Sequence, residues 1–561
     1  MKRTMLILFV VCAGPALARA DDALQQEIKK DVVLRALVDE LERSRSGLKL
    51  AGFESPYLIQ YSLSDRSWAY VSADLGSVTG RNQGRGRALG SDVRVGSYAL
   101  DNSNFGGGTY SGGMFNTEVP IEDDYNAIRQ AIWWMTDRDY KGVVEQLARK
   151  KAFMESKLIK DKPDDLYPMP PTIHCADRID VALDVAPLED LAVALSAVFR
   201  DFPAVQSSGA SVSAFAGNEY LVNTEGTRLR SAGRQFALAV RATVQADDGM
   251  KLSDSFTACG RKFEELPPRA ELLARCRKMA EQLIALKDAP LLASYTGPIL
   301  LEAEPASQIF AQTFGGSFGG GQRSVGSAAD PEDFANKLGK RILPRFLNVR
   351  DDPAPREIAG VPAMGHYAYD DQGVPAQTVS LVEGGRLKTL LMSRNPSKES
   401  KESNGHGRDS LAATRGSVGS LIVTADDAAL DADKLRQELL EACADETLEY
   451  GIRIAALGSV GGGGRSYGQS GGANPLLTYK VYPDGHEELV RGAEIARVDL
   501  KAFKHVLAAG DKPYVRNNVS GLDGTTVVAP ALLFEELDLA KVDRDFDKPP
   551  LLPTPLAREP R

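Results

Sequence analysis

Short β-like runs joined by tight-turn residues limit the fold of this chain more than any other feature. Residues 378–382 and 387–392 flank the pair Gly384-Gly385, and a second pair of such runs flanks Pro483-Asp484-Gly485. Glycine adopts the positive φ that tight hairpin turns require, so each arrangement predicts two antiparallel strands. The C-terminal half is therefore expected to be a mainly antiparallel β domain.

The N-terminal half combines strands with helices. Residues 57–63 and 67–73 read as strands, followed by a glycine-rich loop at 80–90. Residues 211–245 read as successive antiparallel strands, broken at Gly217-Asn218 and at Glu225-Gly226. Apolar residues at helical spacing predict helices at residues 23–41, 188–199, 272–286, 306–314, 331–340 and 433–450.

Together these patterns predict an α+β protein. The chain has 561 residues, enough for two or three domains of ordinary size. We assign residues 21–290 to an N-terminal α/β region and residues 291–540 to a mainly antiparallel β domain with inserted helices. The Pro-rich, charged segment 541–561 is expected to be disordered.

Residues 1–20 have the pattern of a secretory signal peptide. Two basic residues precede an apolar run from Met5 to Ala13, and Ala18-Arg19-Ala20 stands before Asp21. The apolar run is shorter than the ~20 residues that span a bilayer, and no later stretch reaches that length. We expect cleavage after Ala20 and an exported, periplasmic protein without a transmembrane segment; an uncleaved anchor is the alternative.

Charge and cysteine content narrow the range of partners. The formal net charge is -9, which disfavours binding to the phosphate backbone of nucleic acid. After signal cleavage Cys175, Cys259, Cys276 and Cys443 remain, widely spaced and without the C-x-x-C pairs of zinc or redox motifs. We expect at most one disulfide.

Serine and histidine motifs give only weak evidence for catalysis. Gly-x-Ser-x-Gly strings surround Ser317 and Ser470, but both continue into glycine rather than into the helix of a nucleophile elbow. His366 and His406 each stand near carboxylates, yet neither string supplies the three or four ligands of a tight metal site. Ordinary loop and turn chemistry explains these residues more simply.

Several stretches resemble the TldD/PmbA family, the predicted metallopeptidases also called modulators of DNA gyrase. The likeness runs from about residue 25 to about residue 540 and is spread over moderate motifs. The matching stretches are Y-T-G-P-I-L-L at 295–301, Y-D-D-Q-G at 369–373, S-N-G-H-G-R at 403–408, V-Y-P-D-G-H-E-E-L-V-R-G-A-E at 481–494 and T-V-V-A-P-A-L-L at 526–533. The string R-V-G-S-Y-A-L-D-N at 94–102 resembles the exported branch of the family.

The resemblance implies where a catalytic zinc would bind. Catalytic members carry H-E-x-x-x-H on a helix of the C-terminal domain and a later Cys in a Gly-rich segment, leaving one zinc position open for water. Here the corresponding helix is 304–314, and the motif would fall near Ala311-Gln312 through Gly316, without either histidine or the glutamate. The Gly-rich segment 456–472 contains no cysteine. We therefore expect no cofactor and no catalytic or metal-ligating residue.

The resemblance thus predicts a metal-less, non-catalytic subunit that handles unfolded peptide substrates beside a competent TldD-like partner in proteolysis. The candidate substrate-binding residues are Gln312, Asn404, His406 and Arg408, whose polar side chains can hold a peptide backbone. Two alternatives remain. One is an active exported peptidase with a non-standard metal site at His366 and His406 or with a serine nucleophile; the other is a structural envelope protein that binds no peptide.

Overall fold

The computed structural model describes residues 24–106, 117–328, 330, 332–408, 415–458, 474–495, 498–542 and 546–556. Two large sheets with packed helices organise these residues, which confirms the α+β class. The expected signal peptide, Ser470 and the Gly-rich stretch around it lie outside the described residues. Within these ranges no helix is both long enough and apolar enough to cross a membrane.

The N-terminal sheet has seven strands in the described residues, and all of its pairs are antiparallel except that of β4 with β6. The order is β3-β2-β1-β5-β6-β4, and β7 also pairs with β6. The strands are β1 (Pro56–Asp74), β2 (Ser77–Val95), β3 (Thr117–Val119), β4 (Ile173–Cys175), β5 (Val205–Asn223), β6 (Arg228–Gln245) and β7 (Lys251–Gly260). The helices are α1 (Val32–Gly47), α2 (Tyr125–Ser156), α3 (Ala186–Ala197) and α4 (Arg269–Lys287).

Helices cover only one face of this sheet. Along β1, Leu63 and Val71 belong to apolar clusters, the first with α1 and α2 and the second with α3 and α4. Successive side chains of a strand point to opposite faces, so Ser62, Ser64 and Arg66 share the other face. That face is polar and carries no helix of the N-terminal region. The four helices therefore leave one side of the sheet open to the C-terminal domain.

Two glycine-based predictions in this sheet are wrong. Residues 80–90, expected as a loop, lie within β2, and Gly217 lies inside an unbroken β5. A Cβ at Gly84 would stand 2.5 Å from the Trp68 ring, and one at Gly217 would stand 2.6 Å from Leu522. These glycines thus make room for side chains from elsewhere rather than turning the chain. The predicted turn at Glu225-Gly226 is confirmed.

In the described residues the C-terminal domain is built on a twelve-stranded, mainly antiparallel sheet around a long strand, β21, which pairs with four other strands. Both predicted hairpins are confirmed, as β12–β13 and β17–β18. The strands are β8 (Tyr295–Leu301), β9 (Asn348–Asp351), β10 (Glu357–Ile358), β11 (Val361–Pro362), β12 (Val379–Glu383), β13 (Arg386–Leu387), β14 (Ser420–Thr424), β15 (Ala429–Leu430), β16 (Gly451–Leu457), β17 (Pro475–Val481), β18 (Glu487–Val490), β19 (Ala493–Ile495), β20 (Val506–Ser520) and β21 (Asp523–Lys541), of which β10 and β11 form a separate hairpin.

Three α-helices are inserted among these strands: α5 (Ala303–Phe314), α6 (Ala432–Asp445) and α7 (Leu500–Lys504). The helix expected at 331–340 is wrong, because only a short 3-10 helix, Phe334–Lys337, is present there. Phe334 is the residue of that turn that reaches the core, stacking edge-on against Phe318. A single helical turn is enough to bury the Phe334 side chain, so the segment does not need a longer amphipathic helix.

The four cysteines Cys175, Cys259, Cys276 and Cys443 are free thiols. Cys276 and Cys443 are buried on the apolar sides of α4 and α6, as their helical positions predict. In the C-terminal segment that we expected to be disordered, Asp547 accepts a hydrogen bond from Gln245 (2.8 Å) through its backbone carbonyl. The tail is therefore attached to the N-terminal sheet at this point.

A buried ion pair joins the turn between β5 and β6 of the N-terminal sheet to the C-terminal domain. Arg394 donates to both carboxylate oxygens of Glu225, each at 2.7 Å, and its Nε donates to the Tyr167 carbonyl. Tyr98 donates to the same carboxylate at 2.7 Å. The Arg394 and Glu225 side chains are 3% and 11% exposed. Two parallel bonds in a desolvated site fix the orientation of one domain against the other.

We predict that Arg394→Met lowers the free energy of unfolding by about 3 kcal/mol, because Glu225 would remain as a buried carboxylate without its cation. Urea denaturation followed by circular dichroism measures this loss. The control is Arg269→Met, which removes an exposed ion pair with Asp190 (53% and 71% exposed) and should cost about 1 kcal/mol or less. Equal losses for the two variants would contradict the importance of the buried pair.

Candidate functional site

A cavity of about 4260 Å³ lies between the helix-free face of the N-terminal sheet and the C-terminal domain. Ordinary ligand pockets measure roughly 300–1,000 Å³, so this space admits an extended chain rather than a single small molecule. Its wall carries eleven Arg or Lys and twelve Asp or Glu side chains. The wall is therefore polar and nearly balanced in charge, unlike the basic surface of a nucleic-acid site.

The hairpin β20–β21 forms one wall of the cavity. Its residues 513–524 all line the space. On one side β20 pairs with β21, and on the other it pairs with β15 only at Ala509 and Gly510. In the described part of the chain no strand pairs with the outer edge of residues 513–517. A sheet edge is thus presented inside the cavity, where another extended chain can pair with it.

Helix α5 forms a second wall. Its apolar residues Ile309, Phe310 and Phe314 are buried, and the two phenylalanines stack on each other and on Phe503 of α7. The helix is anchored by this aromatic cluster. The residues between the apolar positions, including Gln308, therefore line the cavity.

Of the four predicted binding residues, Gln312 and Arg408 line the cavity, whereas Asn404 and His406 do not. Gln312 is exposed on the cavity side of α5. The Arg408 guanidinium stacks over the Tyr367 ring at 4.5 Å and pairs with Asp523 at 3.2 Å. Burial opposes the charge, but the carboxylates of Asp371 and Asp523 raise the pKa of Arg408. The arginine is therefore a permanent charge held at the base of the β20–β21 hairpin tip.

His406 and Asn404 lie behind the cavity wall, where they tie loops together. His406 is fully buried; its Nε2 lies 3.1 Å from Asp351 Oδ1 and its Nδ1 lies 2.9 Å from the Asn404 carbonyl. Asn404 accepts from the Met392 N–H and donates to the Leu390 carbonyl. Both imidazole nitrogens are engaged, so His406 has no free nitrogen with which to contact a ligand.

The alternative catalytic residues are not grouped. His366 has its Nδ1 2.9 Å from the Pro353 carbonyl, and burial lowers its pKa. Ser317 lines the cavity but donates its hydroxyl back to the Thr313 carbonyl at 3.0 Å, one turn earlier. Across the described residues no three His, Cys, Asp or Glu side chains converge as metal ligands. The cavity side of α5 presents the amides of Gln308 and Gln312 and the carboxylate of Glu304, without the imidazole or thiolate ligands of a zinc site.

The C-terminal domain matches a known family. Residues 294–541 match the family model for the PmbA/TldA metallopeptidase C-terminal domain. Residues 294–541 therefore form a domain of the TldD/PmbA family. The resemblance inferred from the sequence motifs is thereby confirmed.

Solved structures show the same fold. TldE from Thermococcus kodakarensis superposes with a TM-score of 0.60 at 13% identity, covering 90% of this chain and all of that one. A Thermotoga maritima protein described as a modulator of a DNA gyrase superposes with a TM-score of 0.60 at 16% identity, covering 86% of this chain and 96% of that one.

A sequence relative matches over a shorter stretch. A metalloprotease of Methanocaldococcus jannaschii is 40% identical over 76 residues, 13% of this chain and 16% of that relative. This match therefore spans a small part of the relative's length.

Sequence reasoning missed several cavity residues of this family member, chiefly Asp254 on β7 and Arg66 on β1. Asp254 is separated by 50 residues of sequence from Glu304, whose charge acts on it. Arg66 donates to Glu219 at 2.6 Å and pairs with Asp523 across the domain boundary. Only the alternation of Ser62, Ser64 and Arg66 with apolar residues could have indicated a polar sheet face.

We predict a pH-dependent stability effect of Asp254→Asn. Burial first, and then the Glu304 carboxylate, raise the pKa of Asp254 to about 6. The folded-state pKa of Asp254 lies above its unfolded value of about 3.9. The contribution of Asp254 to stability is therefore fully present below the unfolded pKa and is lost as the pH rises through about 6. The variant should therefore be more stable than wild type by about 1–3 kcal/mol near pH 7.5, with the advantage shrinking near pH 4. Urea denaturation at both pH values measures it, and a pH-independent difference would contradict the assignment.

Proposed function

We propose that this chain is a metal-less, non-catalytic subunit that holds unfolded peptides and works with a competent TldD-like partner in proteolysis. The observation that carries the proposal is the donor set on α5. Where the family resemblance would place histidines and a glutamate, near Ala311-Gln312 through Gly316, the cavity is lined by Ala311, Gln312, Thr313 and Gly316. Zinc sites in proteins use imidazole, thiolate and carboxylate ligands, so these residues do not fit the ion.

The nearby carboxylates support the same conclusion. Glu302, at the start of α5, is paired with Arg453. Arg453 also pairs with Glu487. A carboxylate neutralised by a guanidinium is a poor ligand for a dication, because the two cations would compete for the same oxygens. We therefore derive no catalytic step through a metal from these residues.

The open edge of β20 supports a role in peptide binding. An extended peptide that adds to a sheet edge is held by its own main-chain N–H and C=O groups, with little demand on its sequence. The edge lines the cavity and residues 514–517 are only partly exposed, so main-chain hydrogen bonds formed there are partly shielded from water. The polar floor formed by the open face of the N-terminal sheet can accept varied side chains.

The sequence of residues 1–20 supports an exported setting, in which the mature protein begins near Asp21 and acts in the periplasm. The likeness to TldE concerns the fold. Together with the missing zinc ligands, it supports a heteromeric arrangement in which a sibling chain supplies H-E-x-x-x-H. A sibling reading frame beside this one that keeps the motif would strengthen this part of the proposal.

We predict that the protein binds a fluorescent unstructured peptide in the cavity and that Gln312→Trp weakens binding by about tenfold or more, because the indole would fill space beside α5. Fluorescence anisotropy measures the affinity. Gln437→Trp, on the exposed face of α6 and outside the cavity, is the matched control and should bind as wild type does. Equal weakening by both variants, or no binding by wild type, would overturn the peptide role.

A second experiment tests the absence of catalysis. The purified chain is expected to contain far less than one zinc per chain and to leave the peptide intact, while cleavage appears when a TldD-like sibling is added. Elemental analysis and mass spectrometry of the peptide give the two readouts. Stoichiometric zinc whose removal by chelator abolishes cleavage by this chain alone would establish the metallopeptidase alternative. Cleavage lost in Ser317→Ala or Ser470→Ala would establish the serine alternative.

A further inference from the structure

We infer that Arg261 and Arg356 form an anion-binding subsite in the cavity wall, and that it takes the C-terminal carboxylate of a peptide paired along β20. This inference rests on the peptide-binding function proposed above and specifies which end of the peptide is recognised.

Arg261 follows the last residue of β7, and its guanidinium is fixed by the opposite domain. Its Nη1 donates to the Arg356 carbonyl at 3.3 Å and its Nη2 to the Ala363 carbonyl at 2.5 Å. These oxygens are neutral, and no carboxylate of the described residues forms an ion pair with this guanidinium. A partly buried, unpaired cation facing a cavity is uncommon and calls for a ligand of opposite charge.

The residue whose carbonyl accepts from Arg261, Arg356, carries a second cation. The charge of Arg356 contributes, after burial, to a lowered pKa of Arg261, and it also lowers the pKa of His366. The Arg356 side chain is exposed in the cavity and has no hydrogen-bond or ion-pair partner in the portion of the chain that the structure describes. Two like charges held near each other are stabilised when an anion binds between them.

The groups around the two arginines do not cancel their charge. Burial first and then the charge of Arg356 lower the pKa of Arg261, which Glu265 opposes; Glu265 Oε2 accepts the backbone N–H of Arg261 at 2.7 Å rather than pairing with its guanidinium. Burial raises the pKa of Cys259 to about 11, so its thiol carries no negative charge at neutral pH. Glu357 follows Arg356 and is exposed on the cavity side of β10. Among the described residues neither Arg261 nor Arg356 forms an ion pair with these carboxylates, so both guanidiniums remain available to an anion.

The subsite adjoins the open edge of β20. Asn517 of β20 donates to the Pro362 carbonyl at 2.8 Å and accepts from the Met364 N–H at 3.0 Å. The segment that holds Arg261 through Ala363 is thus attached directly to the edge strand. A chain that pairs with β20 can end at the two arginines, and a guanidinium binds a carboxylate through two parallel hydrogen bonds.

The test compares one unstructured peptide made with a free C-terminus and with a C-terminal amide, neither containing acidic side chains. A third peptide has the amide and one internal glutamate. Wild-type protein should bind the free acid about tenfold tighter than the amide by fluorescence anisotropy. Arg356→Gln should remove this preference and leave the affinity for the amide unchanged. Arg350→Gln, an exposed arginine outside the cavity, should keep the preference.

The outcomes separate the two proposals. Equal binding of the acid and the amide by wild type overturns the carboxylate subsite and leaves the peptide role standing. Binding of the internal glutamate peptide as tightly as the free acid also overturns it, since the site would then read a side chain. Binding of none of the peptides overturns both the subsite and the proposed function. Arg261→Lys keeps the positive charge but loses the guanidinium that donates two parallel hydrogen bonds. It should reduce the preference for the free acid over the amide without abolishing it.

Discussion

The desolvated pair between Glu225 and Arg394 determines how the two halves of the chain face each other. It joins a hairpin turn of one sheet to a loop of the other domain through two hydrogen bonds of fixed direction. The tip of the β20–β21 hairpin supplies a second contact, because Leu522 packs where Gly217 leaves no side chain. These contacts join the two domains whose facing surfaces line the large cavity.

The N-terminal sheet explains why that space is polar. A sheet packed by helices on both faces would need apolar residues on both, yet β1 alternates serine and arginine with leucine and valine. The apolar half of the alternation is covered by four helices, and the other half faces the cavity. The hydrophobic effect therefore stabilises this sheet through one face only, and the other face remains available for contacts with a ligand.

Much of this architecture could be predicted from the sequence. Turn chemistry located both C-terminal hairpins and the turn at Glu225-Gly226, and the helical run predicted at 306–314 located α5 within three residues. Glycines inside strands were misread because their reason is a distant partner, Trp68 for Gly84 and Leu522 for Gly217, which no local pattern reveals.

The site was predictable only in part, for the same reason. Gln312 could be placed on the cavity side of a helix because helical periodicity separates its two faces. The burial of His406 against Asp351, 55 residues earlier in the sequence, has no local signature. Likewise Arg261 and Arg356 come from different domains, and only the folded chain shows that they are neighbours.

The unpaired margin of β20 has a consequence for the behaviour of the protein in solution. Exposed strand margins invite unwanted association between molecules, and proteins commonly blunt them with charges, bulges or prolines. Here the margin from Pro513 to Asn517 lines the cavity, and it begins with a proline, which has no N–H to offer a neighbouring strand. A peptide paired along this margin would occupy the remaining main-chain groups. Peptide binding and protection against association would then depend on the same few residues.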